Sequence, residues 1–493
     1  MVGSTRSVRQ RCCAAYCTQH PHARPSTPPR PPAHRPPVPS ALPLTPAARE
    51  LRVIRRLAAP VIVTQLGGMM LGVVDSMMLG HFSVAALNAS ALGRIWIFGT
   101  QLFAMGVLLG LDPIISQSHG ARDRERLGRA LQRGLVIALL GSLPIGALWL
   151  FTGRALTLFG QEGGLCELAQ SYALVQLPGL PCFLCYWVLR SWLQGRGIMR
   201  AAMWVMLFAN LFNVVANTLL IHGLLGFPRL GIVGAGITTT LTQALMLAAL
   251  VAIILHRRLH RGAWVPWSTR ALDPRGLREI LGLGLPVALQ FGLEVWAFQI
   301  TMLWAGLLGS MALAGHIITL NLASISFMIP LGISIAAATR VGNLIGSGRS
   351  ALAQTSAWVA LASGCVVMSA TAAVFFLGRD VLGRIYTDDA SVVALAATIL
   401  PIAAAFQVFD GAQIIGTGVL RGMGRTRPAA VMNLIAFYAV GLPLAWLLAF
   451  RFERGLAGLW WGLCAGLGVV AVALVGWVWR RGPAKAEALV APD

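Results

Sequence analysis

Charge is what this chain has least of. Only 17 of its 493 residues are acidic and 11% are charged, whereas 57% are apolar; the mean hydropathy is +0.72. So little charge cannot clothe a water-facing surface, which excludes a soluble globular class and makes the bilayer part of the solvent. The sequence also lacks HExxH, GxSxG and clustered histidines, leaving a membrane-embedded enzyme without nucleophile, base or metal cluster. Its eight cysteines imply no disulfide framework: Cys12, Cys13 and Cys17 precede the apolar region, and Cys166, Cys182, Cys185, Cys365 and Cys464 lie in or beside apolar runs. Cys182 and Cys185 form a CxxC without the two further ligands of a zinc site, so they read as packing residues. Cys12, Cys13, Cys17, His20 and His22 suit a metal by composition alone, and no resident metal or cofactor is expected. Residues 1–45 contain no acid and no apolar stretch able to act as a signal-peptide core. They read as a disordered Pro/Arg-rich extension, with a transit-like peptide or a misassigned start as alternatives.

Apolar windows of membrane-spanning length are what fill the remainder. About 20 residues of helix cross a hydrocarbon core, and twelve such windows are predicted: 57–80, 88–112, 134–153, 168–190, 201–221, 231–256, 280–304, 312–338, 353–377, 391–416, 428–449 and 456–479. Lipid offers backbone amides no partners, and the runs are too continuous for barrel strands. The expected fold is therefore an all-α integral membrane protein. Its expected organisation is a first lobe over 46–256, a cytoplasmic linker over 257–279, a second lobe over 280–480 and a short tail over 481–493.

The net charge of +22 suggests nucleic acid until the basic residues are sorted by loop. With the N-terminus inside, about 26 fall on the cytoplasmic side, from Arg49 through Lys485, and about 6 outside (Arg154, Arg229, Arg379, Arg384, Arg451 and Arg454), as the positive-inside rule requires. Both termini are thereby expected in the cytoplasm, in an inner (plasma) membrane, with no nucleic-acid partner.

Sliding the second half back over the first aligns several landmarks. Pro60 meets Pro286 and Gly120 meets Gly346, both 226 residues apart (286 − 60; 346 − 120). Phe159-Gly-Gln-Glu meets Tyr386-Thr-Asp-Asp, and Val188-Leu-Arg meets Val419-Leu-Arg. Six helices per unit make the two repeats parallel, related by an axis along the membrane normal. This is a transporter arrangement with a path between its halves.

Three acids, Asp75, Glu294 and Asp410, fall well inside predicted helices. An ionised carboxylate at mid-bilayer costs at least about 2.5 to 3.5 kcal/mol, so such residues usually face a cavity; a protonated acid bonded between helices is the plainer alternative. Arg94 reads as the one basic residue well inside a helix, either paired with an acid or snorkelling. Gln290, Glu294, Phe298 and Thr301 share one helical face. Phe406, Gln407, Asp410, Gln413 and Thr417 make a second polar stripe with an aromatic edge. Both suit a cation, which a carboxylate charges, amides orient and aromatic rings flank. Asn210, Asn213 and Asn217 at i, i+3 and i+7 form a face that could meet Asp75, or could pack helices by amide hydrogen bonds. Asp75 stands 15 residues after Pro60 and Glu294 stands 8 after Pro286, so the acids are expected about 10 Å apart in depth.

These residues carry a resemblance over roughly 46–480 to the multidrug and toxic compound extrusion (MATE) family, NorM-like branch. LPVALQFGLEVWAFQ (285–299) and FMIPLGISIAAATRVGNLIGSG (327–348) are its most specific segments, joined by GVVDSMMLGHF (72–82), DPIISQSHGA (112–121) and VFDGAQIIGTGVLRGMGRTRPA (408–429). The resemblance implies an antiporter, expected as a monomer, exporting hydrophobic or aromatic organic cations in exchange for Na⁺ or H⁺ through a cleft between two lobes. It implies cation coupling at Glu294 and Asp410, and a first-lobe constellation of Asp75, Asn213 and Asn217. Phe406 stands where some relatives have tyrosine, which removes a hydroxyl ligand from any Na⁺ site. Two other classes stay open. A flippase for lipid-linked saccharides would need several arginines along its cavity, where only Arg94 is expected; a membrane-embedded enzyme would need the missing catalytic clusters.

Overall fold

The computed structural model describes residues 45–489, and the expectations for 1–44 and for 490–493 lie outside the described residues. Among the described residues eleven helices are long and apolar enough to cross a membrane. They are α1 (Pro46–Phe82), α2 (Val84–Ala121), α3 (Arg124–Leu150), α5 (Arg200–His222), α6 (Gly231–His256), α7 (Pro274–Leu307), α8 (Ser310–Gly346), α9 (Ser350–Leu377), α10 (Ala390–Gly422), α11 (Thr426–Arg451) and α12 (Gly455–Arg481). The fourth span, α4, is a bent pair, Gly163–Gln176 and Gly179–Gly195, with a 53° break. The fold is the expected all-α membrane bundle in two six-helix halves.

Helix ends follow local chemistry. Thr45 caps α1 through the Ala48 amide, with Pro46 in the first turn, a position where its missing N–H costs nothing. Asp123 caps α3 by accepting from the Arg126 amide at 2.9 Å. Asp389 caps α10 through the Ser391 and Val392 amides, which hold its carboxyl below the usual carboxylate range. α5 ends at Gly223 in the left-handed region, φ 71°, where glycine carries no Cβ penalty.

Several helices depart from the predicted windows. α1 starts at Pro46 and α8 runs to Gly346, and the first turns of α1 pack on the last turns of α8 at the basic end. α2 bends at Leu109–Gly110 before continuing to Ala121. α4 breaks where Pro178 follows Leu177, proline having no N–H to continue the ladder. α11 widens into π-turns at Ile435–Gly441 and Leu447–Arg451.

Bulky side chains such as Leu143, Val366 and Val472 are strongly exposed, an outer surface matched to lipid rather than water. The main interior cluster of the first half is built around Leu111, Trp149, Tyr186 and Leu193. The second half holds two large ones, around Ala337, Val341 and Val419, and around Phe406, Phe437 and Trp460. The first helix of each half crosses to the other. Ile54 and Ala58 of α1 belong to a second-half cluster, and Ile280 of α7, 226 residues after Ile54, belongs to the first-half cluster.

This exchange seals the end that carries the basic loops. Gly120 of α2 lies against the Asn343 carbonyl of α8, and Gly346 of α8 against the Gln117 carbonyl of α2. A Cβ at either glycine would overlap that oxygen, so the residue type permits the backbones to touch. Polar links join the halves at the same end. Arg340 grips Glu50 at 2.6 and 2.8 Å, Gln117 donates to the Gly422 carbonyl at 3.0 Å, and Arg421 pairs with Asp112 at 3.4 Å. The segment 257–279 lies along α3, where Gln132 donates to the Val265 carbonyl at 2.8 Å and Arg133 pairs with Asp273 at 3.3 Å.

Candidate functional site

Beyond that seal a cavity of about 690 Å³ lies between the halves. α1 and α2 supply one wall, with Asp75 and Arg94; α7, α8 and α10 supply the other, with Glu294, Phe298, Phe406 and Asp410. Met69, Met105, Met206, Phe291, Phe327 and Met328 make much of the surface between them. Polarizable methionines and aromatic rings adapt to varied apolar shapes, while the few charged groups fix orientation.

Asp75 is 6% exposed. Its Oδ1 accepts from Asn217 at 2.6 Å and Asn213 at 3.3 Å, and its Oδ2 from the Thr239 hydroxyl at 3.4 Å. The i, i+4 spacing of the two asparagines on α5 puts both amides on the face that meets α1. Asn210 does not join them; its amide donates to the Gly67 and Met206 carbonyls, closing the α1–α5 contact one turn away. Arg94 stands near Asp75 without a direct ion pair. Its guanidinium donates to the Gly72 carbonyl at 2.6 Å, one turn from Asp75.

Glu294 is 7% exposed, and its Oε2 accepts from Gln413 at 3.2 Å and Asn433 at 3.4 Å. The sequence reading missed Asn433; the signal available was an asparagine inside the predicted span 428–449. Asn433 sharpens the comparison of the halves. Asp75 and Glu294 both sit on the first helix of their repeat, α1 and α7, and both accept from an asparagine on the fifth, α5 and α11. Asp410, 5% exposed, stands one turn before Gln413 on the same wall of the cavity. Aromatic rings pack edge to face beneath these acids: Phe298 with Phe406 at 6.1 Å and Phe437 at 6.3 Å, and Phe406 with Trp460 at 5.7 Å.

Six of the nine expected cavity residues, Asn210 among them, therefore do not line it. Asn217 and Gln413 stand behind the acids they orient. Gln290 donates to the Thr417 hydroxyl at 3.4 Å, Gln407 to the Ser326 hydroxyl at 2.6 Å, and Thr301 to its own helix at the Phe298 carbonyl. Buried amide N–H groups need acceptors, and for Gln290 and Gln407 a neighbouring helix supplies them. Asn213, Phe298 and Phe406 do line the cavity, with all three acids.

The expectation that Arg94 is the only arginine along the cavity is overturned. Arg190 and Arg421 are each 2% exposed, and both line the cavity. Arg190 is the last residue of the predicted span 168–190 and Arg421 stands five residues beyond 391–416, whereas α4 and α10 extend past them to Gly195 and Gly422. Arg190 donates to Gln65 and stacks on the Trp187 ring at 4.4 Å. Asp112, at the bend of α2, is the acid that answers Arg421, and it too lies outside the three acids singled out by sequence.

Two parallel six-helix halves enclosing a cavity with ionisable groups, closed at one end, suit a transporter rather than an enzyme. The MatE family model matches the chain twice, over residues 60–219 and 286–447, beginning at the two prolines that mark the repeat. A multidrug resistance protein NorM from Burkholderia vietnamiensis is 35% identical over 443 residues, covering 89% of this chain and 95% of the relative. Multidrug and toxin extrusion protein 1 of Mus musculus is 34% identical over 416 residues, covering 84% of this chain and 72% of its own length. In structure, the chain resembles the eukaryotic MATE transporter AtDTX14 with a TM-score of 0.83 and 26% identity, over 90% of this chain and 98% of that one. The chain belongs to the MatE family of multidrug and toxin extrusion transporters, and it is an efflux transporter.

Proposed function

We propose that this protein exports hydrophobic, aromatic organic cations in exchange for H⁺ or Na⁺, with Glu294, Asp410 and Asp75 as the cation-binding carboxylates. The observation that carries this reading is the placement of three nearly buried acids on walls otherwise made of aromatic, methionine and aliphatic side chains. A cation with an apolar body satisfies both surfaces, by charge at the acid and by ring contact around it. Coupling follows from competition: the same carboxylate holds either the drug cation or the coupling ion, and ion entry from the far side releases the drug. The closed basic end supports a cycle in which the halves rock about the cavity and part at that seal. One monovalent ion exchanged for one monovalent drug moves no net charge. The membrane potential, worth about 2.3 kcal/mol per charge per 100 mV, then does no work on the cycle.

The charge sorting supports a plasma-membrane protein with both described ends on the cytoplasmic side, and the interleaved halves support a monomer as the working unit. A flippase reading fits less well. The arginines at the cavity number three (Arg94, Arg190 and Arg421), but Asp75, Glu294, Asp410 and the adjoining Asp112 number four, which leaves no surplus for a pyrophosphate.

Glu294→Gln and Asp410→Asn should each abolish ethidium efflux from everted vesicles without lowering the amount of inserted protein. Full activity in both would sink the assignment. The coupling ion is decided by comparing transport driven by an imposed Na⁺ gradient at fixed pH with transport driven by a pH gradient in the absence of Na⁺.

A further inference from the structure

The segment 257–279, which joins the halves, contributes no side chain to the central cavity. Its composition is nonetheless pronounced. Six arginines lie on it, all of them exposed. Its two acids are already engaged by arginines of α3, Asp273 by Arg133 at 3.3 Å and Glu279 by Arg126. The segment is pinned to the same helix: Gln132 donates to the Val265 and Pro266 carbonyls at 2.8 and 3.1 Å, Val265 fills the space beside Gly128, and Ala263 and Ala271 are buried. Held in this way, it leaves Trp264 and Trp267 44% and 54% exposed, packed edge to face at 6.4 Å. Indole rings in the open at the end of a membrane bundle suit the headgroup layer, which meets both their apolar body and their N–H.

A second cavity, of about 460 Å³, lies between this segment and the first turns of α3. Arg124, Arg129 and Arg270 line it with Glu125, Val265 and Pro266. Glu125 accepts from Arg129 Nε at 3.0 Å and stands 3.9 Å from Arg270 Nη1. Three guanidinium groups against one carboxylate leave two positive charges (3 − 1 = 2) converging on one opening. We propose that this cavity binds the phosphate of an anionic phospholipid of the leaflet at the basic end, with Trp264 and Trp267 seated between headgroups and acyl chains. Guanidinium forks match phosphate oxygens in pairs, and basic pockets beside spans at the positively charged end of a membrane protein hold lipid headgroups. The two tryptophans favour a lipid over a dissolved phosphate, which has no apolar part to set against them.

The test is native mass spectrometry of the full-length protein in detergent, titrated with phosphatidylglycerol, with phosphatidylcholine, and with phosphatidylglycerol in a large excess of inorganic phosphate. Wild-type protein should bind phosphatidylglycerol about tenfold more tightly than phosphatidylcholine, and free phosphate should not displace it. Arg124→Gln and Arg270→Gln should each weaken phosphatidylglycerol about fivefold. Arg349→Gln, which removes an exposed charge outside the cavity, should leave it unchanged. Equal affinity of wild-type protein for the two lipids overturns the site, whether or not the variants fold. Displacement by inorganic phosphate overturns the lipid as its occupant. Unchanged binding in both cavity variants, or an equal loss in Arg349→Gln, would mean attraction to the whole basic end and no site. None of these readings uses efflux, so the lipid site stands or falls apart from the transport reading.

Discussion

A carboxylate inside a hydrocarbon layer is tolerable only where donors surround it, and the donors around these acids differ. Asp75 has three side-chain donors and Glu294 has two. Asn217 is fully buried and gives Asp75 its shortest bond. Asn217→Ala should therefore cost about 1 to 3 kcal/mol, the usual penalty for stranding a buried polar group, and should lower the melting temperature of the detergent-purified protein. Thr218→Ala, whose hydroxyl returns to its own helix at an exposed position, should leave it unchanged; equal melting of the two variants would contradict the assignment. At this scale the pair Asn213 and Asn217 was legible because a spacing of four residues needs no partner to be recognised. Asn433 was not, since a lone asparagine has no period and its acid lies 139 residues away in the chain.

Among the elements, the crossing of α2 and α8 has the strictest requirement. Gly120 and Gly346 each admit the other helix's carbonyl, at Asn343 and Gln117, and the four residues are two pairs of repeat equivalents (343 − 117 = 346 − 120 = 226). Gly120→Val and Gly346→Val should each force the helices apart. The expected result is greater labelling by a membrane-impermeant thiol reagent of a cysteine placed at Ser347 in right-side-in preparations, with similar effects from both substitutions. No change in labelling would mean that the crossing does not seal the basic end. Equivalent glycines were visible as a repeat, but their mutual contact was not, because repetition states likeness and not adjacency. The break in α4 had a visible cause in Pro178. The first π-turn of α11 ends at Gly441, against Gly466 of α12 and just before Pro443.

For the whole molecule, the halves are tied by a few polar links at one end, the strongest being the two-pronged grip of Arg340 on Glu50. Glu50 is 3% exposed, so Arg340→Ala leaves a buried charge without its partner, a change that typically costs about 3 to 5 kcal/mol. Replacing both, with Glu50→Gln added, should recover most of that loss in a thermal melt and should increase the population open at the basic end. A double variant no more stable than Arg340→Ala alone would show that the pair does not act as a unit.

What the sequence determined by itself is everything that depends on local composition: the number of spans, the side on which the basic loops gather, the parallel repeat, and the three acids that burial makes expensive. Those signals survive in a single chain because a bilayer judges each stretch of about twenty residues separately. Only the tertiary structure decided which polar side chains face the cavity and which stand behind it, that Arg190 and Arg421 belong to its floor, and that α1 and α7 exchange places between the halves. A helix surrounded by lipid on one side and apolar protein on the other shows no contrast from which its inner face can be read. The partners that settle each amide and guanidinium stand on other helices, often more than a hundred residues away.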